Sequence, residues 1–255
     1  MTSFRNSKAQ QRLEEVLDRI PSPCFVLDEI LLEENLSILE SLQKKSGATI
    51  LLALKSFALW KSFPQISQVL KGVCASSAHE ARLGRKEFGG EVCSFGAAYS
   101  DEEFSELIKY SDHIIFNSFW QFEKFKNQMG GIGAGIRVNP GYAEVEIDAY
   151  NPCIAGSRLG VPREFFDSKS AEFSEGLHFH ALCGQGSETL QRVSEHFEKS
   201  FGEFLHGKKW LNMGGGHAIT QPGYNLDLLS EIVQHFSEKY GVKVYLEPGE
   251  GVVFD

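Results

Sequence analysis

Eight short apolar runs, separated mainly by helical patterns, constrain the fold of this chain more than any other feature. The runs lie at residues 49–54, 72–75, 91–95, 113–117, 135–138, 176–181, 209–213 and 243–247. Helical patterns occupy 59–70, 77–88, 101–110, 119–129, 189–205 and 226–240, while 139–175 is longer and less regular. Strands covered on both faces read as continuous apolar runs, and strands alternating with helices build parallel sheets. A (β/α)8 TIM-type barrel is the expected architecture, and 255 residues suit one such domain. An open doubly wound sheet is the alternative, because periodicity does not distinguish closure from a free edge.

Ahead of the first run, an amphipathic pattern over 13–20 is closed by Pro21 and Pro23, and a short apolar strand is expected at 24–27. Asp28 suits the N-cap of a helix over 29–45, where Ile30, Leu31, Asn35, Ile38, Leu39 and Leu42 fall mostly on one face. The 25 basic and 34 acidic residues give a net charge of -9, with no basic block able to follow a phosphate backbone, so nucleic acid is not an expected partner. The acidic balance favours the approach of a cationic substrate. Residues 1–11 are polar, and no later run reaches the roughly 18 apolar residues of a membrane span, so no membrane association and a cytoplasmic location are expected. Cys24, Cys74, Cys93, Cys153 and Cys183 lack paired close spacing and are expected to remain thiols.

Active sites of barrels lie at the C-terminal ends of the strands. There the sequence places Lys55 after the first run, His178 and His180 at the sixth, Gly214, Gly215 and Gly216 after the seventh, and Glu247 with Gly249 after the eighth. Lys55 is either a covalent anchor for an aldehyde or simply the first solvated residue of its turn. The glycines are either a backbone cradle for an anion or a flexible turn; two such places on neighbouring strands favour phosphate. His178 and His180 suit a metal, a barrel lining or a stacking face. No Asp or Cys set at ligand spacing accompanies them, so no metal is expected. A carboxylate ending an apolar strand, as Glu247 does, is costly unless paired, with a protonated ring nitrogen or a barrel arginine as partner.

Together these motifs resemble the pyridoxal-phosphate enzymes of the alanine racemase and ornithine/diaminopimelate decarboxylase fold. They are Ala53-Leu54-Lys55, Gly176-Leu177-His178-Phe179-His180, Gly214-Gly215-Gly216 and Glu247-Pro248-Gly249. The likeness is closer still to the carboxynorspermidine/carboxyspermidine decarboxylases, on Tyr150-Asn151-Pro152-Cys153, Ser157-Arg158-Leu159-Gly160, Ala181-Leu182-Cys183, His217 and Glu250, and it runs from about residue 21 to residue 251. The resemblance implies pyridoxal 5'-phosphate as cofactor, with Lys55 forming its Schiff base and His180 stacking on the ring. It implies Gly214, Gly215, Gly216 and Gly249 at the phosphate with Cys183 nearby, Glu247 at the ring nitrogen and Arg158 at the polar edge. Tyr150, Asn151, His217 and Glu250 are implied substrate contacts, the substrate being a small carboxylated polyamine and the assembly a homodimer. A glutamate beside the ring nitrogen keeps it protonated and favours decarboxylation, whereas racemases of this fold carry arginine there.

Two positions depart from the family pattern: Gly184 follows Cys183 where glutamate is usual, and Gly251 replaces alanine. Decarboxylases of this kind continue past the barrel into a β-domain. The expected organisation is therefore a leading helix and strand (1–28), the barrel (29–251), and an apolar stretch at 252–255 that begins a truncated β-domain, with turnover by this chain in doubt. The rival readings are a non-catalytic pyridoxal-phosphate carrier, a decarboxylase of diaminopimelate, ornithine or arginine, and a metal-dependent hydrolase built on His178 and His180.

Overall fold

The computed structural model describes residues 7–253. Eight strands, β1 (Thr49–Ala53), β2 (Gly72–Ala75), β3 (Glu91–Phe95), β4 (His113–Phe116), β5 (Gly133–Arg137), β6 (Gly176–His178), β7 (Trp210–Asn212) and β8 (Lys243–Leu246), pair in parallel in sequence order. Pairing of β1 with β8, Ile50 opposite Leu246, closes the barrel and removes the open-sheet alternative. Alternation along each strand sends one set of side chains outward: Ile50 and Leu52, Val73, Ile114, Leu177, Leu211 and Val244 are fully buried in the layer beneath the helices. Among the described residues no helix is long and apolar enough to cross a membrane.

The inward set forms a separate cluster of Leu51, Cys93, Ile115, Trp210 and Tyr245, a floor built around the indole. Its space is made by missing side chains. A Cβ on Gly135 would lie 2.2 Å from Trp210, and one on Gly176 would lie 2.1 Å from it. β5 starts at Gly133, ahead of the apolar pattern that begins at 135: Gly133-Ala134-Gly135 carries little strand propensity, but Gly133 makes room for His113 and Gly135 for the indole.

Two helices behave as their sequence signals demand. In α2 (Glu29–Ser46) Asp28 accepts hydrogen bonds from the Ile30 and Leu31 N–H groups at 2.9 and 3.3 Å. The helix over Leu226–Tyr240 is capped by Asn225, which accepts from the Leu228 N–H at 3.0 Å. The pattern nearest Lys55 shortens. The expected helix over 59–70 is a 3-10 turn, Trp60–Ser62, followed by a single turn, Phe63–Ile66, with Pro64 inside it.

One expected strand is absent. Residues 24–27 carry no strand pairing, and Phe25 and Val26 are exposed; a closed barrel has no free edge to receive them. The helix expected before them, over 13–20, is found as Ser7–Glu14 with a 3-10 turn at Leu17–Arg19, tied to the barrel by the Arg12–Asp28 ion pair at 2.7 Å. At the other end, the described part of the apolar stretch at 252–255 is the end of a short helix, Glu250–Val253. Val252 is fully buried, Asn35 Nδ2 donates to its carbonyl at 3.2 Å, and Thr220 Oγ1 donates to the Gly251 carbonyl at 2.7 Å. The described part of 252–255 thus packs on the barrel; residues 254 and 255 lie outside the described residues.

Candidate active site

β1 is buried along its whole length and then releases the chain into a tight turn, with Ser56 and Phe57 N–H both donating to the Ala53 carbonyl. The turn is held from both sides, since Ala53 N–H donates to the Pro248 carbonyl and Leu54 N–H to the Cys74 carbonyl. Lys55 therefore stands exposed on a fixed backbone at the C-terminal rim.

The glycine loop after β7 is packed. Gly214 and Gly216 adopt φ values of 70° and 81°, and a Cβ would lie 2.6 Å from the Phe179 carbonyl at the first and 2.0 Å from the Leu182 carbonyl at the second. Gly214 N–H donates to Asn212 Oδ1 and Gly215 N–H to His180 Nδ1, at 2.8 and 3.1 Å. The Gly216 carbonyl accepts from the N–H groups of Gly184 and Gln185, which sets the exposed Cys183 beside the loop. Gly249 faces the turn after Lys55, where a Cβ would meet Ser56 at 2.4 Å.

Between these loops lie His178, the last residue of β6, His180 just beyond it, and Glu247 just past β8. Glu247 is 4% exposed, accepts from Asn212 Nδ2 at 2.6 Å, and has His178 Nε2 3.9 Å from its other oxygen. Burial pushes its carboxyl above the usual value, against the opposing pull of Asn212, Cys74 and the charges of Lys55 and Arg137. Burial likewise drives both imidazoles well below 6.5, with Arg137 and Lys55 adding to it. His178 is 1% exposed, its ring 5.4 Å from that of Phe95, and neither of its nitrogens has a hydrogen-bond partner among the described atoms.

The remaining candidates divide. Tyr150 and Arg158 are exposed on the long segment after β5, whose course is fixed by Asn117 Nδ2 donating to the Arg158 carbonyl at 2.7 Å and Asn139 Nδ2 donating to the Pro152 carbonyl at 3.1 Å. Asn151 is half-buried, its Oδ1 taken by the Cys153 N–H at 2.8 Å. Glu250 is exposed at the start of its helix. His217 is almost fully buried, and burial pushes its imidazole down to about 4.

Two polar residues at the heart of the cluster carried no role in the sequence reading. Arg137, the last residue of β5, is buried with its guanidinium 4.7 Å from the Phe95 ring centroid, donates from Nη2 to the His180 carbonyl at 3.1 Å, and is pulled by burial down to about 10. Asn212, the last residue of β7, holds Glu247 and the glycine loop together. Their signal was a polar side chain closing an apolar barrel strand, the same signal that marked Glu247.

No protein-family model matches the chain. Over 235 residues it is 39% identical to a carboxynorspermidine/carboxyspermidine decarboxylase of Campylobacter jejuni, covering 92% of this chain and 62% of that protein. It is 38% identical to a carboxyaminopropylagmatine decarboxylase of Synechocystis sp., covering 93% and 62%. The crystal structure of the Campylobacter jejuni carboxynorspermidine decarboxylase complexed with norspermidine superposes with a TM-score of 0.84 at 38% identity, over 91% of this chain and 61% of that one. Diaminopimelate decarboxylase of Helicobacter pylori shares the fold, with a TM-score of 0.77 at 17% identity over 94% of this chain and 66% of that one. The chain spans about 62% of the length of the first two relatives.

Proposed function

From a chain related to the carboxynorspermidine/carboxyspermidine decarboxylases along 92% of its own length, we propose a pyridoxal-phosphate-dependent decarboxylase barrel acting on a carboxylated polyamine. The observation that carries this reading is Glu247. A carboxylate this deeply buried, held by an amide and a thiol, and in ion-pair contact with no lysine or arginine among the described residues, fits a site whose cation arrives with the cofactor. The rest of the mouth suits the same group: an amine at the rim in Lys55, a flat imidazole in His180, and the glycine backbone of the loops after β7 and β8 for a phosphate.

When bound, pyridoxal phosphate supplies an aldehyde for amine exchange and an electron-poor ring for the electron pair left by departing CO2. Lys55 Nζ would hold the aldehyde as its nucleophilic anchor, with the substrate's α-amine as its competitor. The Glu247 carboxylate would keep a proton on the ring nitrogen, and Asn212 holds that carboxylate in place. His180, fixed by the Gly215 N–H at its Nδ1 and by Arg137 at its carbonyl, would cover one ring face. Gly216 and Gly249 turn N–H groups to the phosphate, with Cys183 alongside. Arg158, Tyr150, Asn151 and Glu250 border the polar side where a cationic chain lies, drawn in by the net charge of -9. This reading takes 29–251 as the cofactor-binding unit and includes a homodimer. The carrier reading wants arginine at the ring nitrogen, where Glu247 stands.

Borohydride reduction of the protein incubated with pyridoxal phosphate, followed by peptide mapping, tests the reading. The label is expected on Lys55 alone and falls to background in Lys55→Ala; a label on any other lysine overturns it. Release of CO2 from carboxynorspermidine or carboxyspermidine, and its absence with diaminopimelate, tests the substrate class.

A further inference from the structure

We propose that the cofactor-free chain binds one divalent transition-metal ion of the zinc class on His178, His180 and Glu247, within the space assigned above to pyridoxal phosphate. The barrel brings together what the spacing along the chain did not: each of the three offers a donor atom, and those atoms lie within 4.8 Å of one another. Two imidazoles and one carboxylate form the donor set of zinc sites that keep a position open. Tetrahedral zinc, with bonds of roughly 2.0–2.2 Å, wants ligand atoms about 3.4 Å apart, so side-chain torsions need to close the set by only about an ångström.

The independent observation is His178. Both of its nitrogens are buried without a hydrogen-bond partner among the described atoms, and one stands 3.9 Å from Glu247. Such an imidazole costs stability unless something binds it, and the cofactor reading gives His178 no task. A metal ion takes its lone pair and the Glu247 carboxylate at once.

Coordination also has a cost at His180, and that cost makes the ion and the cofactor mutually exclusive. His180 Nδ1 accepts the Gly215 N–H. Binding through Nδ1 replaces that bond directly; binding through Nε2 moves the ring proton to Nδ1, where it opposes the Gly215 N–H. Either way the ion occupies Glu247 and His180 and removes the His180 contact from the glycine loop that the phosphate requires. The ion site stands on the three side chains alone, whereas the exclusion rests on the cofactor reading.

Cobalt(II), whose visible absorbance reports tetrahedral coordination, is the probe, titrated into the full chain after removal of carbonyl cofactor and then displaced by zinc. One ion per chain is expected. His178→Ala and the near-isosteric Glu247→Gln should each weaken binding at least about tenfold, since even outer partners of metal ligands change affinity by roughly 10–100-fold. His235→Ala, which removes a surface histidine paired with Glu198 at 2.9 Å, should leave binding unchanged. Circular dichroism confirms that each variant is folded. No cobalt band, or a band unaffected by both Glu247→Gln and His178→Ala, overturns the proposal. A chain that takes up cobalt through these residues yet never binds pyridoxal phosphate supports the ion site and sinks the cofactor reading. A chain that traps pyridoxal phosphate on Lys55 but refuses cobalt does the reverse.

Discussion

Two glutamates point into opposite ends of one barrel, and their surroundings push them in opposite directions. Glu91 opens β3 at the floor and Glu247 follows β8 at the mouth. Burial raises the Glu91 carboxyl, but hydrogen bonds from His113 at 2.8 Å and Tyr245 at 2.5 Å, and the charge of Lys243 at 3.3 Å, outweigh it and hold the group at about 2. Glu247 is deeper, has an amide and a thiol for company, and stays raised. The floor pairs its carboxylate with its own donors, which is a stabilising arrangement even though His113 Nδ1 and Trp210 Nε1 have no partner among the described atoms; the mouth leaves a carboxylate and an imidazole waiting for a partner from outside. Floor substitutions should therefore cost stability, and mouth substitutions should cost binding.

The largest expected effect is at the indole on which the floor is built. Trp210→Ala empties the space that Gly135 and Gly176 concede, and should cost about 3–5 kcal/mol, lowering Tm by roughly 10 °C. Thermal unfolding followed by far-UV circular dichroism measures it, and the folded fraction should still trap pyridoxal phosphate on Lys55. Intact stability with lost trapping would break the division between the two ends.

Glu91→Gln should cost about 2 kcal/mol at neutral pH, because the folded carboxylate is held below its ordinary 4.5. A depressed carboxyl contributes stability that is complete above the unfolded value and disappears as pH falls through the folded one. The gap between wild type and variant in urea unfolding should thus be full at pH 7, shrink below about 4.5, and close near 2.

How much of this was readable from the chain depends on which interactions set each feature. The bounds Leu226–Tyr240 and Glu91–Phe95 match their patterns, because a polar cap or a run of strand formers is a local signal. The start of β5 was misplaced because Gly133 and Gly135 answer to His113 and Trp210, residues of other strands. Residues 24–27 read as a strand because an apolar run says nothing of whether a pairing edge exists, and in the closed barrel that stretch lies open. Lys55, His180 and Glu247 were legible as polar residues at strand ends once eight strands were counted. Arg137 and Asn212 sent the same signal from the ends of β5 and β7. The burial of His217 did not show, because adjacency to three glycines in sequence does not reveal which side of their loop a side chain takes.

Glu247→Gln gives the smallest effect and the one with the opposite sign. In the cofactor-free chain the wild-type carboxyl is raised, so its contribution to stability is complete below the unfolded value and is lost as pH rises through the folded one. Removing the charge while keeping an oxygen for Asn212 Nδ2 should therefore stabilise the cofactor-free chain at pH 7 by about 1 kcal/mol, and the gain should fade on acidification as the wild-type carboxyl protonates. Adding pyridoxal phosphate should reverse the ranking, because the wild type then gains a cation for its buried carboxylate and the variant does not. Urea midpoints measured with and without the cofactor, at pH 7 and at pH 4, report all of this in one set of curves. A variant less stable than wild type without cofactor would mean that Glu247, like Glu91, already has its partners.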